Sequence, residues 1–159
     1  MKKGYLTVVY LAILAAAAIF WAYQLSPKVV LQCDSELYLK RNVNLNDSVS
    51  LLADVSVFLS HNGEGFIKFT GTAQDKTSSY ILNRALPFNY TPLDNHGVYT
   101  VKFTTQVIRA IDDVPENVWS KFIQTTHDDV QYFFSIKNID KNLYVINGLS
   151  SPVFICATH

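Results

Sequence analysis

Two cysteines, Cys33 and Cys156, are the residues of this chain whose types allow the widest range of chemistry. Cys33 follows Gln32 rather than small residues, and several residues separate it from the N-terminal apolar segment, which argues against a lipid anchor. No second cysteine or histidine lies at the close spacing of a zinc site. The histidines are scattered and indicate no base for a cysteine nucleophile: His61, His96, His127 and His159.

The two cysteines are therefore interpreted as a pair. A disulfide between Cys33 and Cys156 is predicted, because an even number of cysteines is typical of domains in an oxidising compartment. The N-terminal segment described below places the domain in such a compartment. Two unbonded buried thiols that act as small apolar residues are the alternative. The bond requires the first and last strands of the domain to be neighbours, with Cα atoms within about 7 Å.

Two pairs of adjacent acids, Asp112 with Asp113 and Asp128 with Asp129, invite a catalytic or calcium-binding interpretation. The first pair precedes a predicted helix and the second follows it, so capping and solvation explain them better. The sequence contains no Gly-rich phosphate loop and no HExxH, GxSxG or SxxK motif. We therefore expect no enzymatic activity, no metal site and no cofactor.

The N-terminal segment 4–27 carries no ionisable side chain other than tyrosine. About 20 such residues span a bilayer, so we predict a cytoplasmic tail at 1–4, a transmembrane helix at 5–25 and an outer domain at 26–159. Trp21 and Tyr23 are placed to anchor the far end at the membrane interface. A cleaved signal peptide is the alternative, but its apolar region is normally shorter.

Charge determines the expected orientation and excludes one class of partner. Lys2 and Lys3 place the N-terminus in the cytoplasm, so the domain is expected on the outer side of the membrane. On a bacterial inner membrane this side is the oxidising periplasm. All 13 acidic residues lie from Asp34 onward, so the domain carries a small net negative charge. This argues against direct binding of nucleic acid. A four-residue tail has no room for an output domain, so any signal has to pass through a partner.

The domain shows the period-two alternation of antiparallel strands. The stretch 49–59 is the strongest case, and the Asn62-Gly63 sequence after it predicts a hairpin that returns at 66–73. Further strands are predicted at 28–40, 79–88, 98–109, 130–137, 143–148 and 152–158. One short helix is predicted near 115–124, with Asp113 as its N-cap and Glu116 in a capping box.

These elements predict a mainly β fold: a small antiparallel barrel or a curved sheet, lipocalin-like, with one helix covering an end. Such a barrel either fills its interior with side chains or holds one small apolar ligand. Two aromatic residues, Phe58 and Phe133, lie on otherwise polar strand faces and are candidates for contact with a partner or the helix. The residues predicted to line the core or a ligand are Phe69, Tyr99, Val101, Phe103, Tyr132 and Phe134.

The arrangement of the whole chain resembles the FidL-like membrane proteins of enteric bacteria. The residues that carry the resemblance are the segment MKKGYLTVVYLAILAAAAIFWAY, the stretches GFIKFTGTAQ and VYTVKFTTQVIRAIDDVPENVW, and the terminal FICATH.

The resemblance implies an accessory role of the ToxS or VtrC type, beside a membrane-bound transcription regulator like ToxR. It also implies that a small apolar molecule such as a bile salt is sensed in a lipocalin-like barrel. A standalone lipocalin-like carrier or envelope assembly factor, without a regulatory partner, is the alternative. No ligand-binding residue is transferred by the resemblance.

Overall fold

The computed structural model describes residues 13–17, 29–44, 47–93, 97–123, 130–149 and 152–158. Residues 13–17 are helical, and among the described residues no helix has the length and apolar character needed to cross a bilayer. The rest of the predicted transmembrane segment, including Trp21 and Tyr23, lies outside the described residues, as does the predicted tail at 1–4.

The domain consists of nine strands and one short helix. The strands are β1 (Val29–Asn44), β2 (Asp47–Ser60), β3 (Glu64–Gln74), β4 (Ser79–Pro92), β5 (Val98–Phe103), β6 (Val107–Ile108), β7 (Tyr132–Asp140), β8 (Leu143–Asn147) and β9 (Pro152–Ala157). The helix is Glu116–Trp119.

Eight of the nine strands form a closed antiparallel barrel in the order β1-β2-β3-β4-β5-β7-β8-β9, with β9 returning to β1. The remaining strand, β6, pairs with the edge of β4 beside β5. The inward positions of β2 follow the predicted alternation, since Leu51, Ala53, Val55 and Val57 are all buried. The predicted mainly β fold with one short helix is confirmed, and of the two predicted forms, barrel and curved sheet, the domain adopts the barrel.

The β2–β3 hairpin is present and defines what we call the hairpin end of the barrel. Gly63 takes a φ of +81° in its turn, whereas no described residue other than glycine has a positive φ. The turn therefore requires glycine at this one position, because other side chains are disfavoured there. The predicted strand 98–109 divides into β5 and β6. Both pair with β4, but the pairing is interrupted between Phe103 and Val107.

The predicted capping of the helix is wrong. The residue before the helix is Pro115, and no side chain caps the helix. Asp113 instead accepts a hydrogen bond from the backbone N–H of Ile81 at 2.5 Å. Asp112 accepts one from the N–H of Asn83 at 2.8 Å. The two acids therefore satisfy backbone N–H groups at the edge of β4. They do so beyond the end of β6, where no described strand pairs with that edge.

Asp112 also neutralises a buried cation, Arg84, whose side chain is only 2% exposed. The Arg84 guanidinium donates to both carboxylate oxygens of Asp112 at 3.1 Å, and to Glu116 at 2.8 Å. It also donates to the carbonyl of Val114 and lies 5.1 Å from the ring centre of Trp119. This cluster fixes the helix across the opposite end of the barrel, which we call the helix end.

The predicted disulfide between Cys33 and Cys156 is present, with Cα atoms 5.3 Å apart. Both residues are buried, and they link β1 to β9 beside the paired residues Asp34 and Ala157. This pair is the one point at which the described parts of β1 and β9 are in register. The bond therefore supports the weakest junction of the barrel.

Replacing both cysteines by serine is expected to lower the free energy of unfolding by about 2–5 kcal/mol, because the bond closes a loop across a sequence separation of 123 residues. Urea denaturation followed by tryptophan fluorescence measures the change. The wild-type chain in reducing buffer is the control and should approach the variant. Equal stability of the oxidised wild type and the variant would contradict a structural role for the bond.

Asp112→Asn is expected to lower the free energy of unfolding by about 3 kcal/mol, because it leaves the buried Arg84 charge with only the half-exposed Glu116. Asp54→Asn, at an exposed position of β2, is the matched control and should change stability by less than about 0.5 kcal/mol. Similar effects for the two variants in urea denaturation would show that the Arg84 cluster is not critical.

Candidate ligand-binding cavity

The interior of the barrel is not completely filled. A cavity of about 530 Å³ runs from the hairpin end to the helix end. Its volume is within the range of roughly 300–1,000 Å³ that is usual for small-molecule sites. Most of its walls are aliphatic or aromatic side chains: Leu37, Leu39, Val57, Leu59, Ile67, Phe69, Leu86, Phe88, Tyr90, Tyr99, Val101, Phe103, Phe122, Ile123, Tyr132, Phe134, Ile136, Ile146, Val153 and Phe154.

A chain of aromatic rings holds one wall in place. Phe88 meets Phe103 edge-on with ring centres 5.7 Å apart, and Phe103 meets Tyr132 in the same way at 5.3 Å. Tyr90 and Tyr99 make a third edge-on contact at 5.6 Å. Edge-to-face contacts have a preferred geometry, so this wall has a defined shape without a ligand.

Space for Phe88 depends on a glycine of the neighbouring strand. Gly65 is opposite Phe88 in the β3–β4 pairing, and a Cβ at Gly65 would lie 2.6 Å from the Phe88 ring. Atoms cannot approach that closely, so any side chain at Gly65 would displace the ring. The absence of a side chain on β3 thus positions an aromatic residue of the cavity wall on β4.

The hairpin end of the cavity contains a half-buried polar group, the hydroxyl of Tyr90. The Tyr90 hydroxyl donates a hydrogen bond to the carbonyl of Ser60 at 2.5 Å. Burial, together with the neighbouring Tyr99, raises the pKa of Tyr90 above its usual value of 10.0. Tyr90 therefore resists deprotonation, which indicates that this part of the cavity disfavours charge.

The opposite end of the cavity opens along the seam between β1 and β9. Beyond Asp34, the described part of β1 pairs only with β2, and β9 pairs with β8 along its length. Arg41 on β1 and Val153 on β9 are both exposed, yet both line the cavity. The cavity therefore reaches the surface between the two strands, near the helix end.

The six residues predicted as core or ligand lining all face this cavity: Phe69, Tyr99, Val101, Phe103, Tyr132 and Phe134. Residues of the helix end, including Phe122, and of β1, including Arg41, also line the cavity but are not among the predicted residues. Arg41 continues the inward alternation of Leu37 and Leu39, so the period-two pattern would have identified it if extended past residue 40.

The two residues proposed for partner contact lie on the outer surface. Phe58 stacks on Phe66 of the adjacent strand, with ring centres 4.4 Å apart, and both line a shallow outer groove with Pro87. Phe133 is half-buried and opposite Thr100, on the face of β7 away from the cavity lining. We call Phe58, Phe66 and Pro87 the outer aromatic patch.

Of the histidines and the second acidic pair considered for other chemistry, the structure describes His61, which lies in the β2–β3 turn. The others lie outside the described residues: His96, His127, His159, Asp128 and Asp129. Among the side chains that the structure describes, no group of three or more His, Cys, Asp or Glu residues is placed to hold a metal ion.

The sequence of this chain matches one protein family over more than half of its length. Residues 71–156 match the model of the family described as "FidL-like putative membrane protein". The chain belongs to the FidL-like family. None of the curated proteins matches it.

The FidL-like match extends from the second half of β3 to β9. It includes the aromatic wall formed by Phe88, Tyr99, Phe103 and Tyr132, and it ends at Cys156. The strands β1 and β2, which carry Cys33 and Arg41, precede the matched region. The matched and unmatched parts of this FidL-like chain thus meet in one barrel and share its cavity.

Tyr90→Phe is expected to reduce stability by about 1 kcal/mol at neutral pH, through loss of the hydrogen bond to Ser60. It should also weaken the alkaline dependence of stability. A raised pKa in the folded state contributes stability that is fully present below pH 10 and is lost as the pH rises through the folded value.

The measurement is the free energy of unfolding between pH 8 and pH 11.5 for the wild type and Tyr90→Phe. Tyr38→Phe, at a position that is 64% exposed, serves as the matched control. Parallel alkaline profiles for the wild type and Tyr90→Phe would contradict this account of Tyr90.

Proposed function

We propose that this FidL-like chain is a periplasmic accessory protein, anchored in the inner membrane, that binds one small apolar molecule and modulates a membrane-bound transcription regulator of the ToxR type. The observation that carries the proposal is the apolar cavity of about 530 Å³ inside the barrel. The proposal has two parts, ligand binding and partner binding, which rest on different features of the domain.

Ligand binding is supported by the size, lining and opening of the cavity. Fixed aromatic rings shape one wall, and the seam between β1 and β9 gives access from the surface. A ligand that replaces water against this lining gains hydrophobic stabilisation of about 25 cal/mol per Å² of apolar surface removed from water. Bile salts and fatty acids are small, mainly apolar molecules of the class that such a site binds.

Partner binding is supported by the outer surface. The outer aromatic patch offers a contact, because Phe66 remains 38% exposed although it stacks on Phe58. Exposed aromatic residues are common in protein interfaces. The ToxR-type identity of the partner rests on the family resemblance.

A standalone carrier of apolar molecules is the second candidate, and the same cavity favours it. The two functions differ in whether the outer surface binds a partner protein. A carrier binds its ligand without any partner, whereas an accessory protein alters the output or the lifetime of a regulator.

Val101→Trp is expected to weaken binding of an apolar fluorescent probe at least tenfold, because Val101 is buried and faces the cavity. Ile146→Phe fills the same cavity from β8 and provides a second variant if the first does not fold. Ile81→Phe, at an exposed position outside the cavity lining, is the matched control. The probe is titrated into the full chain in lipid nanodiscs, with empty nanodiscs subtracted. Unchanged binding in folded cavity-filling variants would contradict ligand binding in the barrel.

Phe66→Ser is expected to abolish co-purification of the full chain with a winged-helix membrane regulator encoded beside it, because it removes the most exposed ring of the outer aromatic patch. Ile81→Ser removes an exposed apolar side chain elsewhere on the barrel and should leave co-purification unchanged. Failure of the wild type to co-purify with the regulator would favour the carrier. Full retention by Phe66→Ser would exclude the patch as the docking site.

A further inference from the structure

The cavity has an asymmetric distribution of charge. Arg41, near the end of β1, is the one charged side chain among the described residues that line it. We propose that the ligand is an amphipath with a single acidic group, which binds to Arg41 at the mouth while its apolar body lies within the barrel. This inference rests on the proposed ligand-binding function and specifies the class of ligand.

Arg41 is positioned to bind an anion without being drawn into the apolar interior. It follows Leu37 and Leu39 on the inward face of β1, and one guanidinium nitrogen donates to the carbonyl of Lys121 at 2.6 Å. That bond uses one of the five N–H donors of the guanidinium. The remaining donors match the two oxygens of a carboxylate, with which arginine forms paired hydrogen bonds.

The remainder of the cavity determines which end of the ligand lies inside. Arg41 is exposed, so an acidic group bound to it keeps part of its hydration. At the hairpin end, burial disfavours charge on Tyr90, whose hydroxyl is already directed to Ser60. A carboxylate placed there would lose its hydration without a cation to replace it. The acidic group therefore belongs at the mouth, and a cationic amphipath would be repelled there.

The test compares three ligands with the same chain: dodecanoate, dodecanol and dodecylammonium. Each competes with a diazirine-labelled dodecanoate for photo-cross-linking to the full chain in nanodiscs, and mass spectrometry quantifies the label on peptides of the cavity wall. In the wild type, dodecanoate is expected to compete about tenfold more strongly than dodecanol, the effect of a charge-assisted hydrogen bond at an exposed mouth. Dodecylammonium is expected to be the weakest competitor.

Arg41→Gln should remove the preference for dodecanoate over dodecanol, while dodecanol competes as it does in the wild type. Arg41→Lys keeps the positive charge and should retain most of the preference. Lys40→Gln is the matched control. It removes the same charge from the adjacent position of β1, which is exposed and outside the cavity lining, and should leave the preference intact.

The outcomes separate this inference from the function on which it rests. Equal competition by dodecanoate and dodecanol in the wild type, or an unchanged preference in Arg41→Gln, overturns the role of Arg41 but leaves ligand binding in place. Loss of all three ligands in Arg41→Gln also overturns it, since Arg41 would then act only by holding the segment at Lys121. Absence of any competable label on the cavity wall of the wild type overturns ligand binding itself.

Discussion

Closure of the barrel between its first and last strands is the constraint on which the other features depend. Seven of the eight junctions join strands through several registered residue pairs, but the described parts of β1 and β9 share only Asp34 and Ala157. The disulfide between Cys33 and Cys156 lies beside that pair and links the two ends of the domain. Because the bond holds one end of the seam, the strands can diverge at the other end without opening the barrel. The cavity and its mouth are consequences of this local closure.

The cavity persists because the ends of the barrel are stabilised by different means. At the helix end, Trp119 is fully buried and contacts Phe69 edge-on, while Arg84 ties the helix region to β4. At the hairpin end, Tyr90 closes the wall through its bond to Ser60. Eight-stranded barrels have interiors just wide enough for side chains to fill. Here the aromatic rings of the cavity wall pack against one another and do not fill the space between the helix end and the hairpin end. That space is large enough for a small molecule.

The acidic pair at Asp112 and Asp113 illustrates how one sequence pattern serves a different purpose from the expected one. Acids before a short helix normally indicate capping, yet here both carboxylates bind the edge of β4, and Asp112 also pairs with Arg84. The choice depends on a contact across a sequence separation of 28 residues, because a buried arginine requires a nearby negative charge. Local spacing contains no information about such a contact. The helix is correspondingly short and has no side-chain cap.

Local periodicity along the chain was sufficient to predict several parts of the fold. Alternation along β2 and β3, glycine at position 63 and the even pair of cysteines were enough to predict a small barrel or a curved sheet whose first and last strands are linked. The same alternation placed Phe103 and Tyr132 on the inner face. Three further features are visible only in the folded domain: the interior contains a cavity, β1 and β9 diverge beside Arg41, and Arg84 is buried against Asp112. These features arise from packing between segments that are distant in the chain. The volume left inside the barrel and the partner of a buried charge depend on which distant side chains meet, and local sequence patterns do not specify this.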